Sequence, residues 1–274
     1  MASFFIERRQ ESSSGCSLFY MTVDILLVGC GGTGGCLFAR MMRFLYDYAE
    51  TDMEITFRIM DGDHVELKNL ARQPFSEEDL GKNKAVALAA SAQEVFGIDV
   101  KAYPEYLTPD NMLRYLSPDS YSSSSNIRII IGAVDNHACR KLLHEYFQHP
   151  QYLSENVLYY IDSANEFSCG EIVIGKRTYR DIAAPDRVHY YPDIMQDNGK
   201  AAYEMSCEEL NSSAPQHLAT NGLAADLIFS YLAQLLMAGE QAPLAPGGII
   251  YFDALKLFSR FDIYEEVRHG KIVK

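Results

Sequence analysis

The 274-residue chain has no CxxC pair, no apolar run near the roughly 20 residues of a membrane span, and no excess of basic residues. Six cysteines without a pairing motif read neither as a disulfide scaffold nor as a zinc site. The formal net charge of −13 argues against a duplex-binding surface, where affinity comes largely from lysine and arginine neutralising phosphates. It leaves room for a local basic pocket, so it says little about small ligands. The start, "MASFFIERRQESSSG", lacks the apolar stretch and small-residue cleavage site of a secretory signal. The expectation is a cytoplasmic protein with neither a nucleic-acid nor a membrane partner. The seven histidines show no metal-ligand spacing, and each reads as a surface or loop residue.

What is present is an ordinary globular balance, 48% hydrophobic and 22% charged, enough to fill a core. "DILLVG" (24–29) is a buried-strand run, and from Thr33 to Tyr48 the residues Leu37, Met41, Phe44, Leu45 and Tyr48 recur at helical spacing. "EITFRIMDGD" (54–63) reads as a second strand, "NKAVALAASAQEVFG" (83–97) as a helix closing on glycine, and "IDVKAY" as a third strand. After the serine-rich loop 117–126, "IRIIIGAVDN" is a β-branched parallel strand and "HACRKLLHEYFQ" its helix. "VLYYIDSA" and "GEIVIG" are further strands, 176–215 a long polar connection, 217–239 an apolar helix, and "GGIIYFDALKLFSRFDI" a closing pair of strands. Strand–helix alternation predicts an α/β, Rossmann-like, mainly parallel sheet with helices on both faces and C-terminal antiparallel strands. Without a repeat or a clear linker, the expected organisation is an N-terminal arm (1–20) and one domain (21–274).

Gly29-Cys30-Gly31-Gly32-Thr33-Gly34 fits G-x-G-x-x-G with a strand before and a helix after. Glycines there let backbone amides meet phosphate oxygens at a helix N-terminus, although a tight packing turn would also use them. Asp61, at the end of the second strand, suits the ribose of any nucleoside, so these features do not separate NAD from ATP. The next connection holds Asp61, Asp63, Asn69, Arg72, Gln73, Lys82 and Lys84. A site handling three phosphates and a metal needs such a cluster and a dehydrogenase does not; solvated loop charges are the bland alternative.

"VGCGGTGG", "DGDHVELKNLARQPF", "LGKNKA" and "GAVDN", in that order, resemble the adenylation domain of the ThiF/MoeB/HesA and ubiquitin-activating-enzyme superfamily. "SCEEL" before an apolar helix further resembles ThiF-like proteins of bacterial PRTRC-type operons. The resemblance implies an enzyme that uses ATP and Mg²⁺ to adenylate the C-terminal glycine carboxylate of a small ubiquitin-fold or sulfur-carrier protein. It implies that Gly29, Gly31, Gly32 and Gly34 form the nucleotide loop and Asp61 holds the ribose hydroxyls. Asn69 and Arg72 would reach the distal phosphates, Gln73 support the turn, Lys84 act on phosphate and Asp135 hold magnesium. Asp135 could equally cap the following helix, and the two roles can coexist. The family's partner-subunit arginine has no clean match; Arg8 and Arg9 are candidates beside a solvated-arm reading. A homodimer is implied by the same likeness.

Some relatives pass the acyl group to a cysteine. Cys30 and Cys36 read as buried fillers, Cys139 has apolar helical neighbours, Cys16 sits in the arm, and Cys169 lacks an activating context. Cys207, in "EMSCEELN", lies where thioester-forming relatives place theirs. Glu208 and Glu209 would raise its pKa, while a helix N-terminus there would lower it. Two other readings remain at this point: an NAD-dependent oxidoreductase, which would leave the Asn69–Lys84 cluster idle, and a non-catalytic nucleotide-binding scaffold.

Overall fold

The computed structural model describes residues 21–47, 53–117, 126–149, 157–178, 181–200, 204, 217–239, 242 and 245–265. The arm with Arg8, Arg9 and Cys16, and the segment with Cys207, lie outside the described residues. Strands β1 (Met21–Val28), β2 (Met53–Met60), β3 (Lys101–Tyr103), β4 (Asn126–Gly132) and β5 (Val157–Asn165) pair in parallel in the order β3-β2-β1-β4-β5. Beyond β5 the sheet turns antiparallel through β6 (Cys169–Arg177), β8 (Gly248–Asp253) and β9 (Phe258–Ile263), with β7 (Ile182–Ala184) also on β6.

The β-branched and apolar runs alternate between two buried faces, which is what a sheet covered on both sides requires. On one face Ile25, Leu27, Ile129 and Ile161 pack with residues of three helices: α1 (Gly32–Asp47), α2 (Lys84–Phe96) and α6 (Leu218–Met237). On the other, Leu26, Val28, Ile130 and Tyr160 pack with α3 (Met112–Leu116) and α4 (His137–Gln148). Local chemistry sets the boundaries. Asn83 caps α2 by accepting from the Val86 N–H at 3.2 Å, and Gly97 ends it in the left-handed region at φ 67°. Among the described residues, no helix is long and apolar enough to cross a membrane.

The stretch expected as a long polar connection over 176–215 carries structure of its own in its described part. Lys176 and Arg177 still belong to β6, and β7, α5 (Arg187–Tyr190) and a 3₁₀ turn over Pro192–Gln196 follow. The cause is a buried ion network that polar composition conceals. Asp162 on β5 is fully buried between Arg140 of α4 and Arg187 of α5, and Arg187 also binds Glu171 on β6. His144, read as a surface residue, is half-buried with Nδ1 at 2.6 Å from buried Asp186.

Candidate active site

A cavity of about 760 Å³ opens beyond the C-terminal ends of β1, β2, β4 and β5, at the point where the strand order reverses. Ligands of open α/β sheets bind at such a point, and the volume lies within the usual range for small-molecule sites.

The glycine turn joins β1 to α1 here, but most of its glycines serve the protein's own packing. A β-carbon on Gly29 (φ 96°) would strike the Ala133 carbonyl, one on Gly34 the Gly29 carbonyl, and one on Gly32 the Asn221 side chain. A β-carbon on Gly31 alone would fit without a clash, meeting Gln73 Nε2 at an ordinary contact distance of 3.8 Å. Gly29, Gly31 and Gly32 line the cavity; Gly34 seats α1 against the turn and does not. Packing thus accounts for Gly29, Gly32 and Gly34, and of these Gly29 and Gly32 also line the cavity.

Asp61 sits at the end of β2 with both carboxylate oxygens engaged. Oδ2 accepts the Cys30 N–H at 2.6 Å and Oδ1 the Asp63 N–H at 2.8 Å. Burial, together with nearby Asp63, pushes its pKa up to about 6 against the opposing pull of Lys84 and the two N–H donors. Asp63 is held below the usual carboxylate range. Burial works to raise it but is outweighed by Lys84, whose Nζ lies 2.7 Å from Oδ2, and by the Tyr106 hydroxyl on Oδ1. Burial likewise works against the Lys84 ammonium, and Asp61, Asp63 and Asp135 hold it above its ordinary value. Lys82, by contrast, is exposed and pairs with Asp79.

Asn69 is buried and organises the following turn. Its Oδ1 accepts the Glu66 N–H at 2.8 Å, and its carbonyl accepts the Arg72 and Gln73 N–H groups at 3.0 and 2.8 Å. That turn presents Arg72 and Gln73 to the cavity. The Arg72 side chain is half-buried and makes no hydrogen bond or ion pair with any described residue. Gln73 Oε1 is buried and unpartnered. At the end of β4, the cap of α4 is Asn136, whose Oδ1 accepts the Cys139 N–H at 2.8 Å. Asp135 is thus released from capping; it is exposed and lines the cavity.

The structure adds residues that the sequence reading missed. Asn165 Nδ2 donates to Thr33 Oγ1 at 2.8 Å and to Asn221 Oδ1 at 3.2 Å, with Ser163 Oγ donating to Asn165 Oδ1 at 3.1 Å. This network lines the cavity wall formed by β5, α1 and α6. The one available sequence signal was Thr220-Asn221, a polar pair in a largely apolar helix. Tyr106 had no local signal at all. Cys30 is a buried filler as expected, whereas Cys36, expected to be one too, is half-buried; Cys139 is buried and Cys169 half-buried. Burial raises all four thiols, with Cys139 pushed up to about 12.

Among curated proteins none matches the chain. Among solved structures it is similar to PaaA, with a TM-score of 0.57, 15% identity, and coverage of 88% of this chain and 64% of that one. E. coli MccB solved with ATP aligns with a TM-score of 0.57, 17% identity and the same coverage. MccB solved with AMPCPP and MccA aligns at 0.55 and 15%, covering 88% of this chain and 63% of MccB. The aligned region thus spans less than two thirds of these proteins' length, and the likeness establishes the fold. The sequence model of the ThiF family matches residues 20–164, more than half of the chain, and the chain belongs to the ThiF family.

Proposed function

We infer that the protein is an adenylyltransferase that joins a substrate carboxylate to the AMP portion of ATP and releases pyrophosphate. The observation that carries this is Arg72, a half-buried guanidinium without a partner among the described residues, presented to the same cavity as Lys84 and Asp135. A cation left unpaired beside a cavity is set for an anion, and the guanidinium fork matches phosphate oxygens. The neighbouring MccB structures with ATP or AMPCPP support a nucleotide in this fold's cavity.

The reaction brings a carboxylate against a polyphosphate. A substrate oxygen attacks the α-phosphorus while the bond to the departing pyrophosphate breaks, and no proton needs removing because a carboxylate is already ionised near pH 7. Arg72 and Lys84 offset the accumulating negative charge and stabilise the leaving group. Asp61 accepts the ribose hydroxyls, Asn69 and Gln73 hold the turn that aims Arg72, and Gly31 lets the backbone approach the phosphates.

Magnesium fits the donors present. Among the described residues no three His, Cys, Asp or Glu side chains converge as a metal cage, whereas Mg²⁺ is usually held by one or two carboxylates plus substrate phosphates. Asp135, exposed and free of capping, would hold it, and the ion would supply further charge neutralisation. An NAD-dependent oxidoreductase would leave Arg72 without a counterpart.

The substrate we propose is a ubiquitin-fold or sulfur-carrier protein ending in glycine, by family likeness. A small peptide is the runner-up, since MccB was solved with the peptide MccA. The likeness also carries over a homodimer, checked by mass in solution. The deciding test is ATP–pyrophosphate exchange: Mg²⁺-dependent exchange stimulated by a glycine-ended partner is expected, and tight NAD binding without ATP binding would overturn the reading.

A further inference from the structure

We propose that Tyr106 is a positioning residue whose hydroxyl fixes the Asp63 carboxylate in the orientation that holds the Lys84 ammonium in the cavity. The proposal rests on the adenylyltransferase reading for its effect on turnover, and on geometry alone for its effect on Lys84.

The backbone of Asp63 is already pinned. Its N–H donates to Asp61 Oδ1, and its carbonyl accepts from the Lys84 N–H at 2.9 Å and from Asn83 Nδ2 at 3.1 Å. What backbone bonds do not fix is rotation of the carboxylate, a broad two-fold torsion. Tyr106 and Lys84 divide its two oxygens: the hydroxyl donates to Oδ1 and the ammonium to Oδ2. With Oδ1 held, Oδ2 faces Lys84. Without it, a carboxylate that is 36% exposed can turn toward solvent. Lys84, only 8% exposed, would then choose among Asp61, Asp63 and Asp135. Lys68 also acts on Asp63, as does its neighbour Asp61. A lysine is a point charge on a flexible stem, so its placement depends on such partners.

Tyr106 reaches this position because residue 62 is glycine. A β-carbon on Gly62 would fall 2.5 Å from Cγ and Cδ2 and 2.7 Å from Cδ1 of the Tyr106 ring, so the ring lies flat on the Gly62 backbone. Any side chain at 62 would push the ring, and its hydroxyl, away. The D-G-D spelling and a tyrosine beyond β3 thus form one device. Tyr106→Phe keeps the ring on Gly62 and removes only the hydroxyl.

The test compares wild type, Tyr106→Phe, Gly62→Ala and the double variant. Lys84 is acetylated with a small anhydride under mildly alkaline conditions and followed by mass spectrometry, alongside ATP–pyrophosphate exchange. In Tyr106→Phe a less well paired ammonium should acetylate at least about threefold faster. Exchange kcat should fall about tenfold while KM for ATP stays within about twofold, because placement is lost and the binding groups remain. Gly62→Ala should behave likewise, and the double variant should lose no more. Unchanged Lys84 acetylation in Tyr106→Phe overturns the proposal, whatever happens to exchange. If the wild type catalyses no exchange yet acetylation still rises in the variant, positioning stands and the adenylyltransferase reading falls.

Discussion

The Asn221 side chain on α6 occupies the space where a β-carbon on Gly32 would sit, so the last helix seals the back of the glycine turn. Two adjacent glycines therefore make opposite predictions. Gly32→Ala must displace Asn221 and the Thr33 and Asn165 bonds it joins, an overpacking cost of about 1–3 kcal/mol. In a chain of this size, thermal unfolding should shift down by several degrees. Gly31→Ala meets only Gln73 Nε2, at an ordinary contact distance of 3.8 Å, and should leave Tm within about a degree, the ordinary outcome away from packed sites, while weakening nucleotide binding. Calorimetry and nucleotide titration of both variants check the contrast. Equal loss of Tm would show that the turn is purely a packing device.

Arg72→Ala and Asp135→Ala should lower ATP–pyrophosphate exchange by at least about a hundredfold, as removal of a charge from developing phosphate charge does elsewhere. Neither should destabilise the fold. Arg72 makes no bond with a described residue, Asp135 does not cap α4, and Lys84, which Asp135 helps to hold charged, keeps Asp61 and Asp63, so no folded-state partner is stranded. Near-wild-type exchange in either variant would remove that residue from the reaction.

Asp61 gives the site a pH dependence whose sign follows from its surroundings. Its pKa in the folded protein, about 6, lies above the ordinary value of 3.8. For stability, the ionised form is disfavoured by folding, so this group's cost is fully present above about pH 6 and is relieved as pH falls toward 4. For binding the sign is opposite, because ribose hydroxyls need an ionised acceptor. Nucleotide affinity should be level above about pH 6.5 and fall as pH drops through 6, by up to about tenfold per unit. Asp61→Asn should bind weakly with a flat profile, and a wild-type profile flat from pH 7 to 5 would detach Asp61 from the ribose.

Much of this site was legible because its signals are local. The glycine turn, the Asp61–Lys84 connection and the caps at Asn83 and Gly97 are each a few consecutive residues whose chemistry points one way. The parallel strands were legible as β-branched runs. What stayed hidden is non-local. Asn221 meets Thr33 across 188 positions and Asn165 meets Thr33 across 132, and nothing in either neighbourhood announces the partner. The buried Arg140–Asp162–Arg187 network disguised ordered structure as polar connection, because charge patterns cannot distinguish a solvated residue from a paired one. Tyr106 is the extreme case, since its partner at Gly62 is marked by the absence of a side chain.

Cys207, which lies outside the described residues, is the acyl acceptor that we propose. Burial raises each of the four described thiols and outweighs the lowering pull of Lys84 on Cys30, Arg40 on Cys36, Arg140 on Cys139 and Lys256 on Cys169. Only a thiolate captures an acyl-adenylate efficiently. One described flank of its segment attaches to α4 and the other to a residue that lines the cavity. On one side Lys141, on α4 a short way beyond Asp135, donates to the Asp197 carbonyl. On the other, the His217 N–H donates at 3.1 Å to the carbonyl of Phe167, which itself lines the cavity. Adenylation precedes thiol attack, so Cys207→Ala should leave ATP–pyrophosphate exchange within about twofold of wild type. It should abolish a thiol-sensitive adduct with the carboxylate partner on a non-reducing gel. If the adduct persists in Cys207→Ala but disappears in Cys16→Ala, the acceptor is the arm cysteine. If the wild type forms none, the reaction ends at the adenylate and the proposal for Cys207 fails.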